Sequence, residues 1–157
     1  MALPEGFAIR PATIADLEFL VLHRREMFRD MGYSDETVLN AMSERFRAWL
    51  LDHMNAGDYF AWLVCASDGA VVAGAGLWLM DWLPHMVGRG ARRGNIVNVY
   101  TDPKFRRRGL ARHVMEHILA WCRENGIDTV ILHASPSGRS LYESMGFEPT
   151  NEMRLRF

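Results

Sequence analysis

A single mixed β-sheet wrapped by helices, an α+β fold, is what the sequence predicts. Three observations carry it. Two consecutive amphipathic helical patterns lie near the N-terminus, and a pair of apolar runs flanks a turn signal in the middle. Two further helical patterns then alternate with short strand-like runs. With 157 residues, 49% of them apolar and 24% charged, the chain suits one globular domain over 1–157 and is long enough to bury a sizeable core.

Phe7-Ala-Ile-Arg10 reads as an opening strand ended by Pro11. Thr13 with Asp16 three positions on resembles a capping pair. The helix it opens carries Ile14, Leu17, Leu20, Val21, Phe28 and Met31 and stops at Gly32. Ser34 is the expected cap of a second helix, with Val38, Met42, Phe46, Trp49, Leu50 and His53 as its apolar stripe and Asn55 and Gly57 at its end. Tyr59–Ala66 and Ala70–Trp78 flank Ser67-Asp68-Gly69 and read as an antiparallel hairpin. A polar, Gly-rich connection from Asp81 to Gly94 leads to a third strand of that sheet, Asn95–Thr101. A helix from Gly109 to Asn125, a buried strand over Asp128–His133, a short helix over Ser137–Ser144 and a final strand over Phe147–Phe157 complete the order.

Composition narrows the class. Cys65 and Cys122 each sit in an apolar pattern, which argues for packing in a reducing compartment rather than a disulfide framework or zinc site. The longest apolar stretch, Val71–Met80, is too short to span a membrane, and the first residues lack the basic start and apolar core of a signal peptide. A soluble, cytoplasmic protein without a metal is the expectation. The net charge of −1 hides an asymmetry: between Arg89 and Arg112 stand eight basic residues and one acid, Asp102, leaving −8 for the rest. Such a patch calls for a polyanion at one place, either nucleic acid or a small phosphorylated molecule.

The segment Val99-Tyr-Thr-Asp-Pro-Lys-Phe-Arg-Arg-Arg-Gly-Leu-Ala111 decides between them. A strand ends at Pro103, a basic turn follows, and Gly109 enters a helix. Backbone N–H groups at such a turn point outward at the positive end of the helix dipole, where phosphate binds. Gly109 lets a ligand approach the backbone, small Ala111 keeps the entrance clear, and flanking arginines add charge-assisted bonds. Neither a P-loop nor a Gly-x-Gly-x-x-Gly fingerprint is present.

Arg106-x-x-Gly109-x-Ala111 after a strand and a proline turn resembles the acyl-CoA pyrophosphate signature (Arg/Gln-x-x-Gly-x-Gly/Ala) of the GNAT superfamily of N-acetyltransferases. At the separation that family requires, Ser135-Pro-Ser-Gly-Arg-Ser-Leu-Tyr-Glu-Ser-Met-Gly-Phe147 resembles its segment Asn-x-x-Ala-x-x-Leu-Tyr-x-x-x-Gly-Phe. The element order agrees over nearly the whole chain. The resemblance implies a mostly antiparallel mixed sheet splayed at the strand before the turn, with acetyl-CoA as co-substrate. It places Val99, Tyr100 and Thr101 along the pantetheine arm, and Arg106, Arg107, Arg108, Gly109, Leu110 and Ala111 on the pyrophosphate. Ser135 would face the pantetheine or thiol, and Arg139 a CoA phosphate. Tyr142 would be the acid that protonates the leaving thiolate, a sound transfer from a phenol near pKa ~10 to a thiolate whose conjugate acid is near ~8.5.

Two departures from the family pattern matter. Ser135 replaces the usual asparagine, and Asn95 stands where some members carry a glutamate base. The base is therefore unassigned among Glu26, Asp30, Asp81 and His85. The implied reaction is direct attack of an amine on the thioester in a ternary complex, with no covalent cysteine step. Glu26, Asp81 and Trp82 are the acceptor-side candidates. Twelve acids against six basic residues over 1–81 favour a cationic small-molecule or peptide amine. A homodimer could form through the edge near Glu152–Phe157. A non-catalytic acyl-CoA binding or sensing module is the alternative; a nucleic-acid binder is disfavoured because the acidic remainder would repel DNA.

Overall fold

The computed structural model describes residues 3–157. Five strands form one sheet in the order in which they occur along the chain: β1 (Phe7–Pro11), β2 (Tyr59–Ala66), β3 (Val71–Asp81), β4 (Arg92–Thr101) and β5 (Val130–Leu132). The first four are antiparallel to their neighbours, and β5 runs parallel to β4. Four helices accompany them: α1 (Leu17–Asp30), α2 (Glu36–Ala56), α3 (Leu110–Glu124) and α4 (Arg139–Ser144). The α+β class, the mixed and mostly antiparallel sheet and the element order through α4 follow the sequence reading.

The core lies on both faces of the sheet. Leu110, Val114, Met115, Ile118 and Cys122 recur at helical spacing on α3 and pack against Val64, Val72, Ala75, Leu77 and Ile96. Across the sheet, Leu20, Val21 and Leu50 of α1 and α2 cover Tyr59, Ala61 and Leu63. Each such side chain, fully buried, contributes about 1.5–3 kcal/mol. The opening cap behaves as the sequence suggests: Asp16 Oδ2 accepts from the Thr13 N–H at 2.9 Å. Among the described residues no helix is long and apolar enough to cross a membrane.

Several boundaries differ from expectation, each for a local reason. Asp35, not Ser34, caps α2, its Oδ1 accepting from Thr37 N at 2.9 Å and Val38 N at 3.2 Å. That rotates Leu39 into the core and leaves Val38 exposed. The third and fourth strands continue pairing to Asp81↔Arg92, so the connection between them shrinks to residues 82–91. The strand expected over Asp128–His133 keeps three residues and is half-buried, because Asp128 turns back to accept from Arg89 N and Gly90 N. The final strand over Phe147–Phe157 does not form. Pro149 cannot donate to a ladder, and Met153 and Leu155 stand 95% and 77% exposed with no sheet face beneath them.

Candidate active site

The site begins where β4 loses a neighbour. It pairs with β3 along its length but with β5 only at Gly94, Asn95 and Ile96, so Val97–Thr101 present an open edge. Here Asn98 and Val99 together oppose the single residue Ala75, between the pairs Gly76↔Val97 and Gly74↔Tyr100. Asn98 takes φ +56° at this bulge, which bends the strand away from β5. The bulge is held from beneath: Asn98 Nδ2 donates to the buried Tyr59 hydroxyl at 3.1 Å, and its Oδ1 accepts from Arg24 Nη1 at 2.7 Å. Gly76 makes this possible, since a Cβ there would lie 2.0 Å from the Tyr59 oxygen. Burial pushes the Tyr59 phenol up to about 12, so it stays neutral.

Beyond β4 the chain makes the basic turn. Asp102 accepts from Lys104 N at 2.8 Å and starts a single 3-10 turn over Pro103–Phe105. Arg107 (φ +61°) and Gly109 (φ +77°) then both adopt left-handed backbone, which only glycine takes without strain. The N–H groups of Gly109, Leu110, Ala111 and Arg112 find no acceptor among the described residues. They converge at the start of α3, an arrangement that binds anions through the unpaired donors and the helix dipole. The arginine side chains do something else. Arg106 is ion-paired with Asp30 on α1 and donates through Nε to Thr101 O at 2.9 Å, while Arg108 lies over the Phe105 ring at 5.4 Å. Arg112 donates to Ser144 Oγ at 2.5 Å. Arg106 and Arg112 are thus engaged within the fold and Arg108 rests on a ring, whereas the Arg107 side chain has no partner among the described residues and adds its charge to the free backbone donors.

Open edge and turn form one wall of a groove of about 1440 Å³. Val99, Tyr100, Thr101, Arg106, Arg107, Gly109, Leu110 and Ala111 all line it, as do Ser135, Arg139 and Tyr142 from the opposite side. Ser135 Oγ accepts from Gly138 N at 3.2 Å and shapes the turn into α4. Gly138 stands where the resembled segment has alanine, and a Cβ there would meet the Tyr142 ring at 2.9 Å. The Tyr142 hydroxyl has no partner among the described residues, and burial of the ring raises its pKa above the ordinary phenol value. Arg139 is exposed and reaches Glu143 at 3.5 Å.

Of the candidate bases, Asp30 lines the groove but is ion-paired with Arg106, and His85 does not line it; the other sequence candidates also lie outside. Glu26 is paired with Arg29 at 2.6 Å, and Asp81 is 96% exposed beside Arg92 at 3.6 Å. Trp82 stacks under the Arg93 guanidinium at 4.0 Å. Asn95 is buried with its Oδ1 unpaired, and Arg108 is not among the lining residues. Cys122 is buried, with its thiol pushed up to about 11, and neither it nor Cys65 lines the groove. Sequence reasoning missed Arg24 and Asn98. Arg24 stands four residues before Phe28 and three after Val21, a charge within an apolar stripe, which was the available signal.

Comparison with known proteins bears on the family and the fold. A family model described as the acetyltransferase (GNAT) family matches residues 19–147. Glucosamine 6-phosphate N-acetyltransferase 1 of Oryza sativa subsp. japonica is 27% identical over 156 residues, covering 98% of this chain and 88% of that protein. The [ribosomal protein bS18]-alanine N-acetyltransferase of Salmonella typhimurium is 38% identical over 64 residues, 39% of this chain and 41% of its own length. A GCN5-related N-acetyltransferase from Ralstonia eutropha JMP134 superposes with a TM-score of 0.90 at 40% identity, over 97% of this chain and 99% of that one. A predicted acetyltransferase from Clostridium acetobutylicum, solved with acetyl-CoA, shares the fold at a TM-score of 0.87 and 24% identity, covering 96% of each chain.

Proposed function

We propose an acetyl-CoA-dependent N-acetyltransferase acting on an amine, a reading that starts from one fact: the chain belongs to the GNAT acetyltransferase family. The observation that carries it is the meeting, in one groove, of an open strand edge, a turn of unpaired N–H groups and a tyrosine with a free hydroxyl. The turn suits a pyrophosphate, and the edge of Val99 and Thr101 suits the amides of a pantetheine arm.

When bound, acetyl-CoA supplies an acetyl thioester: the amine nitrogen bonds to the carbonyl carbon, the carbon–sulfur bond breaks, and N-acetyl amine and CoA thiol result. Tyr142 donates its phenolic proton to the departing sulfur, and its raised pKa keeps that proton in place at neutral pH. The proton shed by the amine passes to water, which reprotonates Tyr142. Asn95 takes no part, being a buried amide outside the groove. The β4 backbone and the turn hold the two reactants together, which favours direct attack in a ternary complex. Gly109–Ala111 with Arg107 hold the diphosphate; Ser135 and Arg139 line the far side.

The same reading includes a cytoplasmic enzyme that forms a homodimer, in which a second copy covers Met153, Leu155 and Phe157. Sedimentation of the wild type against Leu155→Glu tests that surface, and a monomer in both cases removes it. For the reaction itself, thiol release from acetyl-CoA in the presence of an amine panel is the test. Acceptor-dependent thiol release supports the transferase. Tight acetyl-CoA binding with no release for any amine class would mean a binding module instead.

A further inference from the structure

Most arginines of α1 and α2, and Arg106 at the turn, have a carboxylate partner. Arg25 and Arg29 share Glu36, Arg47 pairs with Glu18 and Glu44, and Arg106 pairs with Asp30. Arg24, on the same helix as Arg25 and Arg29, has no carboxylate partner among the described residues. Its guanidinium lies between two aromatic faces, 5.0 Å from the Phe28 centroid and 4.8 Å from that of Phe46. Nη1 meets the neutral Asn98 amide, and Nε is enclosed without a partner. Burial lowers the pKa of this group, a sign that its charge is poorly compensated. A cation held out of water with one neutral acceptor is costly, and an anion placed beside it recovers much of that cost.

Position identifies the anion. Arg24 lines the same groove, against the bulge residue that precedes Val99, and therefore lies at the end of the open edge away from the basic turn. The phosphates of a nucleotide held at that turn are placed elsewhere. We propose that Arg24 is the recognition point for an anionic group, carboxylate or phosphate, on the acceptor itself. The acceptor is then a small amine that also carries a negative charge. This rests on the acetyltransferase reading and adds the acceptor class to it.

The test separates the two readings. Calorimetry first establishes whether CoA binds; its failure to do so would overturn both. With CoA saturating, so that the turn is occupied, melting temperatures are then measured with matched probes: glucosamine 6-phosphate against glucosamine, phosphoethanolamine against ethanolamine, and phenylalanine against phenethylamine. At least one anionic member should raise the melting temperature where its neutral partner does not, and the phosphate and carboxylate pairs report which anion is preferred. Arg24→Gln should abolish the difference, weakening the anionic probe by about 10-fold or more and its neutral partner far less at saturating CoA. Asn98→Asp, which gives Arg24 an internal counter-ion without removing it, should also abolish the difference within each pair when measured at CoA saturating for that variant, and serves if Arg24→Gln does not fold. Equal shifts within every pair, or a preference that survives both substitutions, would overturn the assignment.

Discussion

The groove's binding surface and the support beneath it are built from different materials. The first is backbone: the bare edge of Val97–Thr101 and the N–H groups of Gly109–Arg112, contributed by a single run of chain. The second is a chain of side chains, Arg24 to Asn98 to Tyr59, drawn from α1, β4 and β2, that holds the bulge of that edge. Recognition through backbone depends on local conformation, so it needs a glycine here and a proline there, and tolerates much else. Recognition through side chains depends on tertiary packing, so that every member must be seated by something remote. Gly76 is the clearest case: it touches no ligand, yet its missing Cβ is what lets Tyr59 reach Asn98.

Substitutions can disturb the binding surface and its support separately. Gly109→Glu adds both a side chain at φ +77° and a carboxylate beside the free N–H groups. The loss of acetyl-CoA affinity should be the largest effect of all, about 1,000-fold or more by calorimetry, with the fold retained by circular dichroism. The next effect is on stability. His23, buried against Tyr100 at 5.0 Å, has its imidazole held down to about 4 by desolvation. In the unfolded chain it titrates near 6.5, so between these values only the unfolded state takes up the proton. Stability is therefore full above about pH 6.5 and falls by about 3 kcal/mol as the pH drops toward 4. Denaturant melts across that range should show the slope, and His23→Leu should flatten it.

Chemistry and packing separate in the remaining two. Tyr142→Phe removes a hydroxyl that has no partner within the described chain, so stability should hold while turnover falls about 100-fold and acetyl-CoA affinity is kept. Tyr59→Phe, beneath the bulge, deprives the Asn98 amide of its acceptor. It should cost about 1–3 kcal/mol in denaturant unfolding, with a smaller change in acetyl-CoA affinity.

The same contrast explains what the sequence made legible. The order of elements, the hairpin at Asp68-Gly69, the turn at Gly109 and the Ser135–Phe147 segment are local patterns, and each lies where its pattern suggests. The acceptor side was not legible. Glu26 and Asp81 are acids near the expected region, but neighbouring arginines engage or face them, and neither lines the groove. Arg24 interrupts the apolar stripe of α1, and only the packing of Phe28 and Phe46 around it shows why a charge is there. The last eleven residues carry a strand's alternation of apolar and charged side chains, yet lack a partner edge.

The central claim is that the turn recognises an acyl-CoA through directed backbone donors rather than through bulk positive charge. Titration calorimetry of the wild-type protein with acetyl-CoA at two salt concentrations, with ATP as the comparison, tests it most directly. The account predicts micromolar binding that favours acetyl-CoA over ATP and weakens only modestly with salt. Binding of ATP equal to that of acetyl-CoA, or none by either, would contradict it.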